Sequence, residues 1–181
     1  MGRPKALVEL DGEPLVRRAL RALVEGGATP VIVVLGAQAD DVRALLPAGV
    51  PTVEAPGWST GMGASLRAGL AALEDTDAEA AVVHLVDLPG VAAAVVSRLL
   101  AVADRDVLAR AAYQGRPGHP VLLGRAHWAG VRNAASGDAG ARTYLAGRAD
   151  VVPVECGDLA DADDVDTPEQ LTAFQDRGRR L

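Results

Sequence analysis

Three charged residues stand where chemistry could be done. Asp87 closes the apolar run "EAAVVHLVD" (79–87) and precedes Leu88-Pro89. A carboxylate at the carboxyl end of a buried parallel strand lies on the ligand-binding edge of an α/β sheet; its other reading is a cap for the next helix. Asp166 belongs to "DLADADDVDTPEQL", whose aspartates Asp158, Asp161, Asp163 and Asp164 read as a solvated acidic turn. Asp166 differs because it abuts Thr167-Pro168, an N-cap followed by a proline at the first helical position. Two carboxylates that converge at one sheet edge suit Mg²⁺, which takes a few carboxylate oxygens and completes its shell with water and phosphate. Lys5, with Arg3 nearby, offers a cation for phosphate; an isolated lysine is otherwise merely solvated.

Further candidates are polar groups set in turns. "PGWSTGMGASLRAGL" (56–70) is a glycine-rich loop entering a helix. Its free backbone N–H groups around Gly61, Met62, Gly63 and Ser65 can hold an anion or the polar edge of a base. It also reads as an ordinary strand-to-helix turn with Ser59 or Ser65 near the cap. "RPGHP" places His119 in a turn before a strand. "SGDAGAR" sets Asp138 near a helix start and Arg142 one turn later, where capping accounts for Asp138.

The elements that must position these groups follow from periodicity. Continuous apolar runs at 30–36 ("PVIVVLG") and 79–87, with a shorter one at 50–54, suit parallel strands covered on both faces. Leu15, Ala19, Leu20 and Leu23 mark one face of a helix stopped by Gly26-Gly27. Val42, Leu45 and Leu46 mark a shorter helix ending at Pro47, and 65–73 a third. Beyond Asp87 the spacing predicts a helix over 91–103. Strands are predicted over 106–113 and 120–123 with "QGRPGH" between them, a helix over 138–145, a strand over 151–154 and a helix over 167–177. Alternation with short links predicts one α/β domain over 1–181, three-layered and Rossmann-like, with a mostly parallel sheet.

Composition narrows the function classes. Aromatic residues make up only 3% against 49% hydrophobic overall, so Ala, Val and Leu must fill the core. The formal charge of −6 argues against nucleic acid as partner, though a few local cations could still hold a small anion. Cys156 is the single cysteine, which excludes an internal disulfide and a Cys-rich zinc site. No apolar run reaches membrane-spanning length and no secretory signal is visible, which fits a cytoplasmic protein.

The order of the motifs resembles the molybdenum cofactor nucleotidyltransferase family, within the nucleotide-diphospho-sugar transferase-like fold. "MGRPKALVELDGEPLV" is similar to the tail of that family's glycine-rich signature, and "GWSTGMGASLRAGL" resembles the loop of its molybdopterin cytidylyltransferase branch. "VDLPGV" looks like its metal-binding Asp-x-Pro; "GHP", "SGDAGAR" and "DVDTPEQL" follow in family order. The resemblance implies that Arg3 and Lys5 contact the nucleotide phosphates and that Asp87 and Asp166 hold Mg²⁺. It places Gly61, Met62, Gly63 and Ser65 beside the base or ribose, and His119, Asp138 and Arg142 on the acceptor side. The implied reaction transfers CMP, or another NMP, from CTP or its NTP counterpart to the phosphate of molybdopterin, releasing pyrophosphate. Lys5 and Asp87 would carry the catalysis, and molybdenum hydroxylases would be possible protein partners. In the family, Met1 aligns inside an Arg-Met-Gly turn that a first strand precedes. The resemblance therefore implies a fold lacking that strand, and a natural reading frame extending upstream by about 15–20 residues. Two other functions compete. One is an NAD(P)H-dependent oxidoreductase like the family's dye-reducing relatives, for which "GMGASLRAG" matches a dinucleotide-binding glycine pattern only in part. The other is a non-catalytic cofactor-binding chaperone.

Overall fold

The computed structural model describes residues 3–160 and 163–178. Met1, on which the alignment with the family's turn rests, and Asp161 of the acidic stretch lie outside the described residues. Elements alternate as the periodicity dictates. A small hairpin, β1 (Glu9–Leu10) and β2 (Glu13–Pro14), leads into α1 (Leu15–Glu25). Then come β3 (Val33–Leu35), α2 (Ala39–Leu45), β4 (Thr52–Glu54), α3 (Met62–Ala72) and β5 (Ala80–Val83). The second half holds α4 (Ala93–Leu100), β6 (Leu108–Tyr113), β7 (Arg116–Gly124), α5 (Trp128–Ala134), α6 (Arg142–Leu145), β8 (Val151–Glu155) and α7 (Pro168–Gly178).

Apart from the β1–β2 hairpin, the strands form two sheets between shared helix layers. β3 pairs with β4 in parallel, and the other sheet runs β5-β7-β6-β8. β7 is antiparallel to both β5 and β6, while β8 is parallel to β6. On one face, Leu66 and Leu70 of α3 pack with Ala81, Val121, Leu123, Trp128 and Val131. Gly69 of the same helix lies against Val34, so α3 covers both sheets. On the other face, Val95 and Leu99 of α4 pack on Ala109, Ala111 and Leu122, and Val16 of α1 packs on Leu35 and Val42. Ser97 Oγ donates to Gly26 O at 2.9 Å and ties α4 to the end of α1. Among the described residues β3 pairs only with β4 and β5 only with β7. Val33, Val34, Val82 and Val83 are accordingly only half-buried, although helices cover both faces.

The layered α/β architecture matches the sequence reading, and several boundaries differ for physical reasons. The run 30–36 keeps a ladder only over 33–35, the length that β4 can match. The run 79–87 leaves its ladder at Val83, which faces Val121; the next residue of β7 is Pro120, which has no N–H to give. The region 138–145 is not one helix: a 3-10 turn at 137–139 and α6 are separated by Gly140 at φ +52°. The hairpin between β6 and β7 turns on Gln114 and Gly115 alone, both with positive φ, as a two-residue turn requires. "RPGH" is therefore strand, and His119 lies within β7 rather than in a turn before it.

Candidate functional site

Asp87 and Asp166 come together through backbone and packing constraints. Val165 N–H donates to Asp87 O at 2.9 Å, laying the segment before α7 beside the stretch that follows β5. Asp166 is then fixed by a reciprocal cap. Gln170 Oε1 accepts from the N–H groups of Asp166 (2.8 Å) and Thr167 (2.9 Å), and Gln170 N–H donates to Thr167 Oγ1 at 3.2 Å. Lys5 arrives from the opposite end of the chain. It sits in a 3-10 turn (5–7) whose successor, Val8, clusters with Leu10 and Leu15 against Leu171 and Phe174 of α7. Packing of the N-terminal segment on α7 thus carries Lys5 to Asp166.

Lys5 Nζ donates to Asp87 Oδ2 at 2.8 Å and also to Asp166 Oδ1. Burial pushes its pKa down, but the hydrogen bonds and charges of Asp166 and Asp87 outweigh burial and leave it raised above 10.5. Because both carboxylates touch one nitrogen, their oxygens lie within two hydrogen-bond lengths of each other. That hard-oxygen pair fits a divalent cation that keeps waters and takes phosphate oxygens as its remaining ligands. Among the described residues no group of three or more His, Cys, Asp or Glu could hold a metal. The fit is therefore to a shared substrate-metal site, not to an all-protein cage.

The glycine-rich loop reaches a different neighbour from the one its glycines suggest in sequence. A Cβ on Gly61 (φ +118°) would lie 2.3 Å from Gly137 C and 2.7 Å from Asp138 Oδ1; one on Gly63 would lie 2.8 Å from Ser136 N. These glycines let the loop press on the 135–138 backbone, and Arg67 donates to Ala135 O to hold it there. Met62 covers Gly140, and Ser65 is half-buried in the first turn of α3. The loop therefore stands beside exposed Asp138, and Arg142, four residues on, is exposed as well. Arg3 is exposed just before the Lys5 turn.

Two histidines lie within electrostatic reach of Asp87. Burial lowers the His119 pKa; its bond to the Val83 carbonyl opposes this, Arg110 and Arg142 push it further down, and Asp87 pulls it up. His119 thus feels opposing charges, Asp87 on one hand and Arg110 and Arg142 on the other. Tyr113 Oη donates to His119 O at 2.7 Å and fixes that part of β7. His84, just past β5, is pushed down to about 4 by burial, with His119 adding and Asp87 opposing. Arg110, on β6, was not a sequence candidate. Its signal was present: it is the one charged residue inside the strand "LARAAY". His84 and the exposed Trp58, which rests on Gly36 just past β3, lie inside the stretches 79–87 and 56–70.

Residues 1–152 match the MobA-like NTP transferase domain family. The chain is 37% identical over 183 residues to the nicotine blue oxidoreductase of Paenarthrobacter nicotinovorans, covering 94% of this chain and 88% of that protein. Among solved structures, Rv0371c from Mycobacterium tuberculosis H37Rv superposes with a TM-score of 0.81 at 26% identity, over 97% of this chain and 90% of that one. The Rv0371c complex with manganese superposes with a TM-score of 0.77 at 23% identity, over 96% and 91%.

Proposed function

The chain belongs to the MobA-like NTP transferase domain family, and on that premise we propose that it transfers CMP from CTP to the phosphate of a molybdopterin-type acceptor, with Mg²⁺. The observation that carries the reading is the convergence of Asp87 and Asp166 on Lys5. Asp87 and Asp166 would hold the cation, which when bound neutralises phosphate charge; a manganese complex of a fold neighbour agrees with a divalent ion. Lys5 has three donors on a flexible stem and can exchange a carboxylate for a phosphate oxygen. An acceptor phosphate oxygen attacks the α-phosphorus, the bond to the bridging oxygen breaks, and pyrophosphate leaves. The chain need only orient the two phosphates in line, exclude competing water and offset charge. Arg3, Gly61, Met62, Gly63 and Ser65 would line the nucleotide side, and His119, Asp138 and Arg142 the acceptor side. CTP is favoured by the likeness of "GWSTGMGASLRAGL" to the cytidylyl branch. The test is pyrophosphate release with molybdopterin and ATP, GTP or CTP. CTP should be used best; equal or better use of GTP overturns the base assignment.

A second reading, dye reduction, is favoured by the name of the 37%-identical relative. Against it, buried Leu66 stands where a third glycine of a dinucleotide loop would fall. Nicotinamide oxidation with nicotine blue as acceptor, in the absence of NTP, would establish it.

A further inference from the structure

Three buried side-chain nitrogens have no hydrogen-bond partner among the described residues: His84 Nδ1, Arg110 Nε and His119 Nδ1. Buried polar groups are normally satisfied, so a cluster of exceptions asks for a reason. They come from, or just past, three adjacent strands, β5, β7 and β6. Val83 of β5 faces Val121 of β7, and Val121 faces Arg110 of β6 on its other side. Arg110 alternates with Leu108, which packs with Val121 beneath α3 and α5, so its side chain leaves the sheet on that face. The same layer holds α6 and the 135–138 segment. Arg142, the first residue of α6, is near enough to add to the burial that lowers the Arg110 pKa. The single hydrogen bond of the Arg110 guanidinium is a long one, 3.3 Å from Nη2 to Gly118 O. Among the described residues neither Arg110 nor Arg142 has a carboxylate partner, although six other arginines do.

We propose that Arg110, with Arg142 and His119, is the subsite that grips a phosphate group of the acceptor, Arg110 being a specificity-determining residue. Two guanidinium forks and an imidazole offer several charge-assisted donors to a tetrahedral dianion, more than one carboxylate can accept. The inference deepens the acceptor-side reading above and rests on it.

The test uses the full chain at constant ionic strength, titrated with inorganic phosphate or with acetate. Thermal midpoint and the histidine ring resonances are the readouts. Phosphate should raise the midpoint and shift His119, and acetate should do so at least tenfold less effectively. Arg110→Met should weaken the phosphate response at least tenfold while leaving the unliganded midpoint equal or higher, since it removes an unpartnered buried polar group. A merely structural arginine would instead lower that midpoint. Arg142→Gln, at an exposed position, should lose the same response and covers the case in which Arg110→Met does not fold. An unchanged phosphate response in both variants, or an equal response to acetate, overturns the proposal. The nucleotide reading is followed separately by the midpoint shift with CTP and Mn²⁺. Lys5→Met should abolish that shift and keep the phosphate response. Loss of the phosphate response in Lys5→Met but not in Arg110→Met would show phosphate binding at the nucleotide site and overturn the subsite.

Discussion

Asp87 has one hydrogen bond to Lys5 and gives its backbone carbonyl, not its side chain, to the 165–166 segment. Asp87→Asn should therefore keep the fold, moving the thermal midpoint only slightly, while metal-dependent turnover falls about 100-fold or more. Normal turnover of that variant, measured with saturating Mg²⁺, would remove Asp87 from the site. His84 makes a second expectation. Unfolded, it takes up a proton near pH 6.5; folded, it resists until about pH 4. The unfolded chain thus binds more protons between those values, and stability must fall as pH drops through that window. The ring keeps some exposure, so the loss should be on the order of 1–3 kcal/mol at pH 4. Urea midpoints at pH 7 and pH 4 for wild type and His84→Gln isolate it; an equal acid loss in both would exclude His84. Asp87 and Asp166 could be read from sequence because each sits at a marked boundary, the end of an apolar run and the start of a capped helix, whereas Lys5 stood out only through the resemblance carried by "MGRPKALVELDGEPLV". Arg110 carries a fainter signal, a lone charge inside "LARAAY", and the sequence does not show that burial and Arg142 act on it where other arginines have a carboxylate.

At the scale of elements, Glu155 acts as a clip. Its carboxylate accepts the N–H groups of Gln114 (2.8 Å), Gly115 (3.0 Å) and Gly157 (2.9 Å), joining the end of β8 to the β6–β7 turn. Those backbone bonds, from Gly115 first and then Gly157 and Gln114, hold its pKa below 4.5. The contribution is present above the unfolded value and is lost as pH falls through the lower folded one. Glu155→Gln should speed amide exchange at 114–115 at neutral pH, with little change in the centre of β7. Unchanged exchange at the turn would show that the clip is dispensable. Helices were the more legible elements. α1, α2 and α3 fall where apolar spacing and glycine or proline stops put them, since their bonds are local. Strand lengths were not, because a ladder runs only as far as its partner has N–H and C=O groups in register. Pro120 ends one ladder, and the three residues of β4 limit another.

For the molecule as a whole, the division into two ladders matters most. β3 and β5 are held by α3 on one side and by α1 and α4 on the other, and among the described residues no hydrogen-bonded ladder links their two sheets. Amides of 33–35 should exchange much faster than those of 108–112 and 121–124. Exchange mass spectrometry would show this as early labelling of the β3–β4 peptides; equal protection of both sheets would mean that the halves open only together. The layer architecture was legible from alternation alone. The separation was not, because the apolar runs 30–36 and 79–87 read as equally buried strands whether or not a ladder joins them.

The two tryptophans turn that division into an optical property. Trp128 is sealed in the core of the β5–β8 half, with Nε1 donating to Leu123 O at 2.8 Å, whereas Trp58 lies 47% exposed on Gly36 beside the glycine loop. Emission from the native protein should therefore be the sum of a blue component and a red one. Only the red indole can be reached by a quencher dissolved in the buffer. A molecule that settles beside the loop would dim or shift that colour alone, so the protein carries its own indicator of occupancy without any label.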